Sequence, residues 1–294
     1  MKKFSVLLIL LLLPALLSAC ASPGEPAQIA ATTLPVYEFT AALCDGTPLT
    51  VTRLVTEAVS CLHDYSLNVR QVKAAEAAET IVISGAGLED FLEDVLEGKD
   101  TIDASVGIAL LCAGEEAEEH DHDHEGHHHA QDPHIWLSPE NAMAMAQTIC
   151  DGLSARYPAY AATFSANLEP LLEQLRELQT YGDETLADLS CRELITFHDG
   201  FSYFAQAFDL TILEAVEEES GSEASARELI HLIEAVEEHH LPAIFTERNG
   251  STSAASVIAR ETGTGCFSLD MAMSGDSYFA AMYHNLDTIK EALG

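Results

Sequence analysis

The run PAYAATFSANLEPLLEQLRELQTYGDETLADL, residues 158–189, sets the architecture of this chain. Leu168, Leu171, Leu172, Leu175 and Leu178 recur in it at helical spacing and β-type residues are scarce, so it reads as one long helix with an apolar stripe. Pro158 stands at a first-turn position, where a backbone N–H would go unused. Gly182 is the weak point of that reading. Upstream, residues 139–156 form a second long helical pattern, opened by the start signal Ser138-Pro139-Glu140. The two predict a rigid rod joining whatever lies on its sides.

On both sides, short β-type runs alternate with helical patterns. Residues 28–33, 49–55, 80–84 and 101–105 read as strands, with helices at 36–44, 69–78 and 88–96. After the rod, strands fit at 194–197, 211–215, 243–246 and 266–269, and helices at 201–208, 222–238, 251–262 and 276–293. Such alternation predicts parallel βα units with helices on both sheet faces. The expected fold is α/β: two lobes, each a mostly parallel four-stranded sheet flanked by helices, joined by a long rigid backbone helix. The expected divisions are 1–19, 20–28, 29–138, 139–189 and 190–294. The first two are a signal and a tether, the third and last are lobes, and the linking helices, including 158–189, lie between them.

Lys2 and Lys3 precede an apolar run from Phe4 to Leu17, too short to span a bilayer comfortably and followed by small residues, as in a secretory signal. It ends in Leu17-Ser18-Ala19-Cys20, which resembles the bacterial lipobox and marks Cys20 for lipidation. An extracytoplasmic protein held to the membrane by that lipid is therefore expected. The chain carries 48 acidic against 13 basic residues, a formal net charge of −35. That excludes nucleic acid as a natural partner, because phosphate would be repelled, and suits a protein that attracts cations. Besides Cys20 there are Cys44, Cys61, Cys112, Cys150, Cys191 and Cys266. In an exported chain these are compatible with disulfides, with buried free thiols as the alternative. No C-x-x-C pair is present, which argues against a thiolate zinc site of the usual spacing.

Residues 115–130 stand apart. The segment holds His120, His122, His124, His127, His128 and His129 among acids, without apolar periodicity. It cannot bury enough surface to fold and reads as a loop that meets late transition metals weakly. A tight site needs donors on folded elements. His63, His134, His198 and Asp270 qualify, each placed at an expected strand end or in the loop after it, where open α/β sheets bind ligands. Two fall in each half, so one ion held by all four would sit between the lobes. His231, His239, His240 and His284 fall within or at the ends of helices, where surface positions explain them.

The chain resembles the zinc/manganese solute-binding proteins of ABC transporters over nearly its whole mature length. The resembling pieces are Leu62-His63-Asp64-Tyr65, Gly85-Ala86-Gly87-Leu88-Glu89, Asp132-Pro133-His134-Ile135-Trp136-Leu137-Ser138-Pro139, Thr196-Phe197-His198-Asp199, Ile244-Phe245-Thr246-Glu247 and Gly275-Asp276-Ser277-Tyr278-Phe279. The resemblance implies two α/β lobes on one backbone helix, with His63, His134, His198 and Asp270 as ligands and an ABC permease and its ATPase as partners. It also implies a monomer that is not an enzyme. The approach to the first histidine, Glu57-Ala58-Val59-Ser60-Cys61, departs from the family's Gly- and Pro-rich pattern and leaves Cys61 as a further donor candidate. Three imidazoles and one carboxylate suit tetrahedral Zn2+, while Mn2+, the alternative cargo, prefers more oxygen. A secreted zinc hydrolase is the rival class. It would keep one coordination position open for water beside a general base such as Glu247, and four protein ligands leave none open.

Overall fold

The computed structural model describes residues 28–59, 62, 65–112, 131–216 and 224–294. The first sheet is built from β1 (Gln28–Ala31), β2 (Thr50–Arg53), β3 (Thr80–Ile83) and β4 (Asp100–Asp103). Its order is β2-β1-β3-β4, and every pairing is parallel. The crossovers carry α1 (Leu34–Cys44), α2 (Val69–Ala77) and the short α3 (Glu93–Leu96). The second sheet repeats this arrangement with β5 (Glu193–Thr196), β6 (Thr211–Ala215), β7 (Ala243–Glu247) and β8 (Gly265–Leu269), ordered β6-β5-β7-β8 and again parallel. Helices α6 (Ser202–Ala207), α7 (Ala226–Glu238), α8 (Ser253–Thr262) and α9 (Tyr278–Leu293) flank it. The expected two-lobed α/β fold is the observed one.

Between the sheets run α4 (Pro139–Arg156) and α5 (Ala161–Thr185). Ser138 opens α4 as expected, its Oγ accepting the Asn141 N–H. The rod is shorter than the sequence implies. Residues 158–160 form a separate 3-10 turn, and α5 stops at Thr185, where the Leu186 N–H closes on the Gly182 carbonyl. Gly182 does not break the helix. A Cβ there would run into the ring of Phe208, so its small size lets α5 press against the second lobe. Gly182→Ala should therefore destabilise the fold although alanine is the better helix former by about 1 kcal/mol. Phe208 is buried and packed on Phe204 with ring centroids 4.9 Å apart, and overpacking typically costs about 1–3 kcal/mol. A urea midpoint at or above the parent's would show that the ring yields.

One buried core runs through both lobes, from Ile29 and Phe39 through Leu171 and Leu175 to Phe245 and Ile289. Smaller clusters lie on the outer faces, with Ala75 and Ile81 in the first lobe and Leu232 and Ile244 in the second. The segment between β8 and α9 crosses back to the first lobe. There the Trp136 indole donates to the Met271 carbonyl at 2.8 Å, Tyr278 Oη donates to the Trp136 carbonyl at 2.8 Å, and Leu34 N–H donates to the Met273 carbonyl at 3.1 Å. Two lobes sharing one core and stitched by these bonds form a stiff frame.

In the first sheet the strand order reverses between β1 and β3, and Glu89 spans that point. Its carboxylate accepts from Thr32 Oγ1 (2.6 Å), Ser84 N–H (2.7 Å) and Gly85 N–H (3.0 Å). This inward turn explains why the expected helix over 88–96 begins as a 3-10 turn at Asp90 and is helical only from Glu93. Burial pushes Glu89 up to about 7 from 4.5 despite the three donors. The folded state thus holds this proton more tightly than the unfolded chain, so the group's contribution to stability falls as pH rises from about 4.5 to 7. Glu89→Gln, which cannot titrate, should gain on the parent over that window by up to about 3 kcal/mol. Denaturant titrations of both proteins at pH 5 and 7.5 would measure it, and a constant difference between them would refute the shift.

Candidate metal centre

Asp132 and His134 lie just before a buried 3-10 turn, residues 135–137, that leads into α4. Asp132 Oδ1 accepts the His134 N–H at 2.9 Å and lies 2.8 Å from His134 Nδ1. A short aspartate two residues ahead can make both contacts at once, which is the chemistry of an Asx turn. His198 follows β5 by two residues, and its Nδ1 lies 3.1 Å from Glu247 Oε1, at the end of the adjacent β7. The order of the second sheet reverses between β5 and β7, and open α/β sheets bind ligands at that switch point.

An imidazole that donates its Nδ1–H to such a carboxylate keeps a lone pair on Nε2. The two Nε2 atoms are 3.4 Å apart and the rings stand at 82°. A tetrahedral zinc ion with nitrogen at 2.0–2.1 Å separates two ligand nitrogens by about 3.3–3.4 Å. The pair already has the spacing of one edge of such a site.

The electrostatics point the same way. Asp132 is 1% exposed and Glu247 6%. Asp132 Oδ2 and Glu247 Oε2 are buried with no hydrogen-bond partner among the described residues. Burial pushes the Glu247 carboxyl up to about 8. Burial of these carboxyl groups beside the imidazoles disfavours their charged forms, a cost that a bound cation would offset.

Asp270 follows β8 directly. Asn285, fully buried, clamps its backbone by donating to the Asp270 carbonyl and accepting the Asp270 N–H, both at 2.7 Å. Its side chain accepts the Ala272 N–H at Oδ1 (2.8 Å) and Arg248 at Oδ2 (3.1 Å). The next residue, Met271, lies with the His198 ring against Gly200. A Cβ on Gly200 would stand 2.6 Å from Met271 Cε and 2.7 Å from His198 Cδ2. Among the described residues no three His, Cys, Asp or Glu side chains converge closely enough to hold an ion. His134 and His198 meet, and Asp270 does not join them in a three-donor cluster.

The family model for ZnuA, zinc-uptake complex component A, periplasmic, matches residues 29–292. The chain belongs to this family. Zinc-binding lipoprotein AdcA of Streptococcus pneumoniae is 32% identical over 99% of this chain. The chain spans 61% of that relative's length. The crystal structure of a ZnuA superposes with a TM-score of 0.77 at 29% identity, covering 91% of this chain and all of the other. The Zn(II)-bound ZnuA-like domain of S. pneumoniae AdcA gives 0.75 at 27%, covering 91% and 99%.

For this ZnuA-family chain, four of the expected site features lie outside the described residues: His63, Cys61, Cys20 and the histidines of segment 115–130. The described residues flanking that segment are joined, since Cys112 bridges Gln131 and the Asp132 N–H reaches the Leu111 carbonyl at 2.9 Å. His134 does not stand at a strand end, because β4 ends at Asp103 and the turn into α4 places it. Cys44, Cys112, Cys150, Cys191 and Cys266 are free thiols, and burial raises Cys44 to about 12, far from a ligating thiolate. His231 and His239 pair with Glu214 and Glu193 on the surface, as their helical positions imply. Sequence reasoning did not identify the part played by Asp132, Glu247, Asn285 and Arg248. Only Asp132, two residues before a histidine, carried a local signal.

Proposed function

We propose that this chain is the extracytoplasmic zinc-capturing subunit of an ABC importer, binding one Zn2+ between its lobes through His63, His134, His198 and Asp270. The observation that carries this reading is the His134–His198 pair, whose Nε2 atoms lie 3.4 Å apart with both Nδ1 atoms held by buried carboxylates. Zinc bound to the AdcA domain of S. pneumoniae, a 27% identical structure, supports the choice of cargo. Imidazole-rich donor sets suit zinc better than manganese, which favours oxygen. Cys20 anchors the protein as a lipoprotein monomer, and a permease with its ATPase receives the ion. The histidines of segment 115–130 gather zinc for the site without holding it, since ordering so polar a segment costs roughly 1–2 kcal/mol per residue.

X-ray absorption at the zinc edge, on protein loaded with one equivalent, tests the ligand set. Three nitrogens and one oxygen at about 2.0–2.1 Å are expected. A sulfur near 2.3 Å would bring in Cys61 and overturn the set.

A further inference from the structure

Adjacent residues at the end of β7 hold two of the proposed ligands. Glu247 Oε1 lies 3.1 Å from His198 Nδ1, and the guanidinium of Arg248 lies 3.1 Å from Asp270 Oδ2. The two contacts differ in kind. Glu247 is buried and leaves the metal-facing Nε2 of its histidine untouched. Arg248 instead occupies an oxygen of the proposed ligand itself. Its side chain is 64% exposed, so leaving that oxygen exposes no buried charge. The other Asp270 oxygen is taken by the Ala272 N–H within the same turn, and Asn285 fixes the backbone. Both carboxylate oxygens thus have partners, and Arg248 is the exposed one. In a chain with 13 basic residues against 48 acidic, an arginine on the carboxylate beside a cation site works against the attraction that the rest of the molecule supplies.

We infer that Arg248 sets metal selectivity by competing for Asp270, so that the carboxylate becomes available only to an ion already gripped by the imidazoles. This rests on the reading of Asp270 as a ligand. An ion satisfied by nitrogen donors, such as zinc, binds the histidines first and loses little to the competition. An oxygen-preferring ion such as manganese depends on the carboxylate and is penalised. The guanidinium is a selectivity filter acting through a ligand, with no metal contact of its own.

The test measures zinc by chelator competition and manganese by the electron paramagnetic resonance signal of the free ion. The proteins are the parent, Arg248→Gln, Asp270→Asn and the double variant, all keeping segment 115–130 so that its contribution cancels. Arg248→Gln should tighten manganese tenfold or more and zinc threefold or less, and the gain should vanish in the double variant. Equal shifts for both metals, no shift, or weaker binding of both would overturn the selectivity role while leaving Asp270 a ligand, provided Asp270→Asn alone weakens binding. If Asp270→Asn alone changes neither affinity, the ligand reading itself fails and the role of Arg248 falls with it.

Discussion

His198→Ala should lower zinc affinity by two to three orders of magnitude and remove most of the thermal stabilisation that zinc confers. Structural zinc sites release roughly 10–16 kcal/mol over four ligands, so one ligand stands for about 3 kcal/mol, and each 1.4 kcal/mol is a factor of ten. Loss of the imidazole also leaves Glu247, which is pushed up to about 8 by burial, without its neighbour at 3.1 Å. The carboxylates behind the ligands should matter less. Asp132→Asn, which keeps the shape but weakens the hold on His134 Nδ1, should cost about 10–100-fold. Saturating zinc at a thousand times its Kd stabilises the parent by about 4 kcal/mol, an upward shift that calorimetry with and without metal would detect. At the same zinc concentration His198→Ala stands at only about one to ten times its Kd, so its stabilisation should fall to about 0.4–1.4 kcal/mol. If that variant keeps tight binding while deletion of residues 120–129 destroys it, the site lies in the histidine-rich segment instead.

The features that could be read in advance were those with a period. The leucine stripe of α5, the alternation behind both sheets and the Ser138-Pro139 start of α4 all follow from local chemistry, and they place His198 and Asp270 after their strands. What escaped was set by contacts distant in sequence. The end of α5 depends on how Gly182 meets Phe208, a contact no helical pattern reveals. Pro170 sits inside that helix because the long apolar face holds it in place against the loss of one backbone bond. The start of the 88–96 helix gives way because Glu89 turns inward to three donors. At the site, the histidines are visible as types, whereas their orientation comes from Glu247, on another strand. Arg248 carries no signal in the sequence at all, since its importance comes from facing Asp270 across β7 and β8.

Gly200→Ala should reduce zinc affinity by about a hundredfold with the fold intact, a large effect for a single methyl group. Gly200 is buried, and a Cβ there would stand 2.6 Å from Met271 Cε, 2.7 Å from His198 Cδ2 and 3.0 Å from His198 Nε2. Its backbone does not occupy the left-handed region, so alanine meets no conformational penalty and the whole effect falls on contacts. Met271 can swing its flexible end aside. The imidazole cannot move as freely, because Glu247 holds its other nitrogen. Tilting the ring carries Nε2 off the 3.4 Å spacing to His134, and metal sites tolerate only about 0.2 Å of error in their distances. The loss should therefore appear as a faster release of zinc, with the far-ultraviolet dichroism and the melting temperature of the metal-free protein close to the parent's. Gly200→Ser would add a hydroxyl to the same clash and should be at least as poor. If Gly200→Ala binds zinc like the parent, the His198 ring has room that the structure does not show, and the preset spacing of the pair is not what makes the site tight.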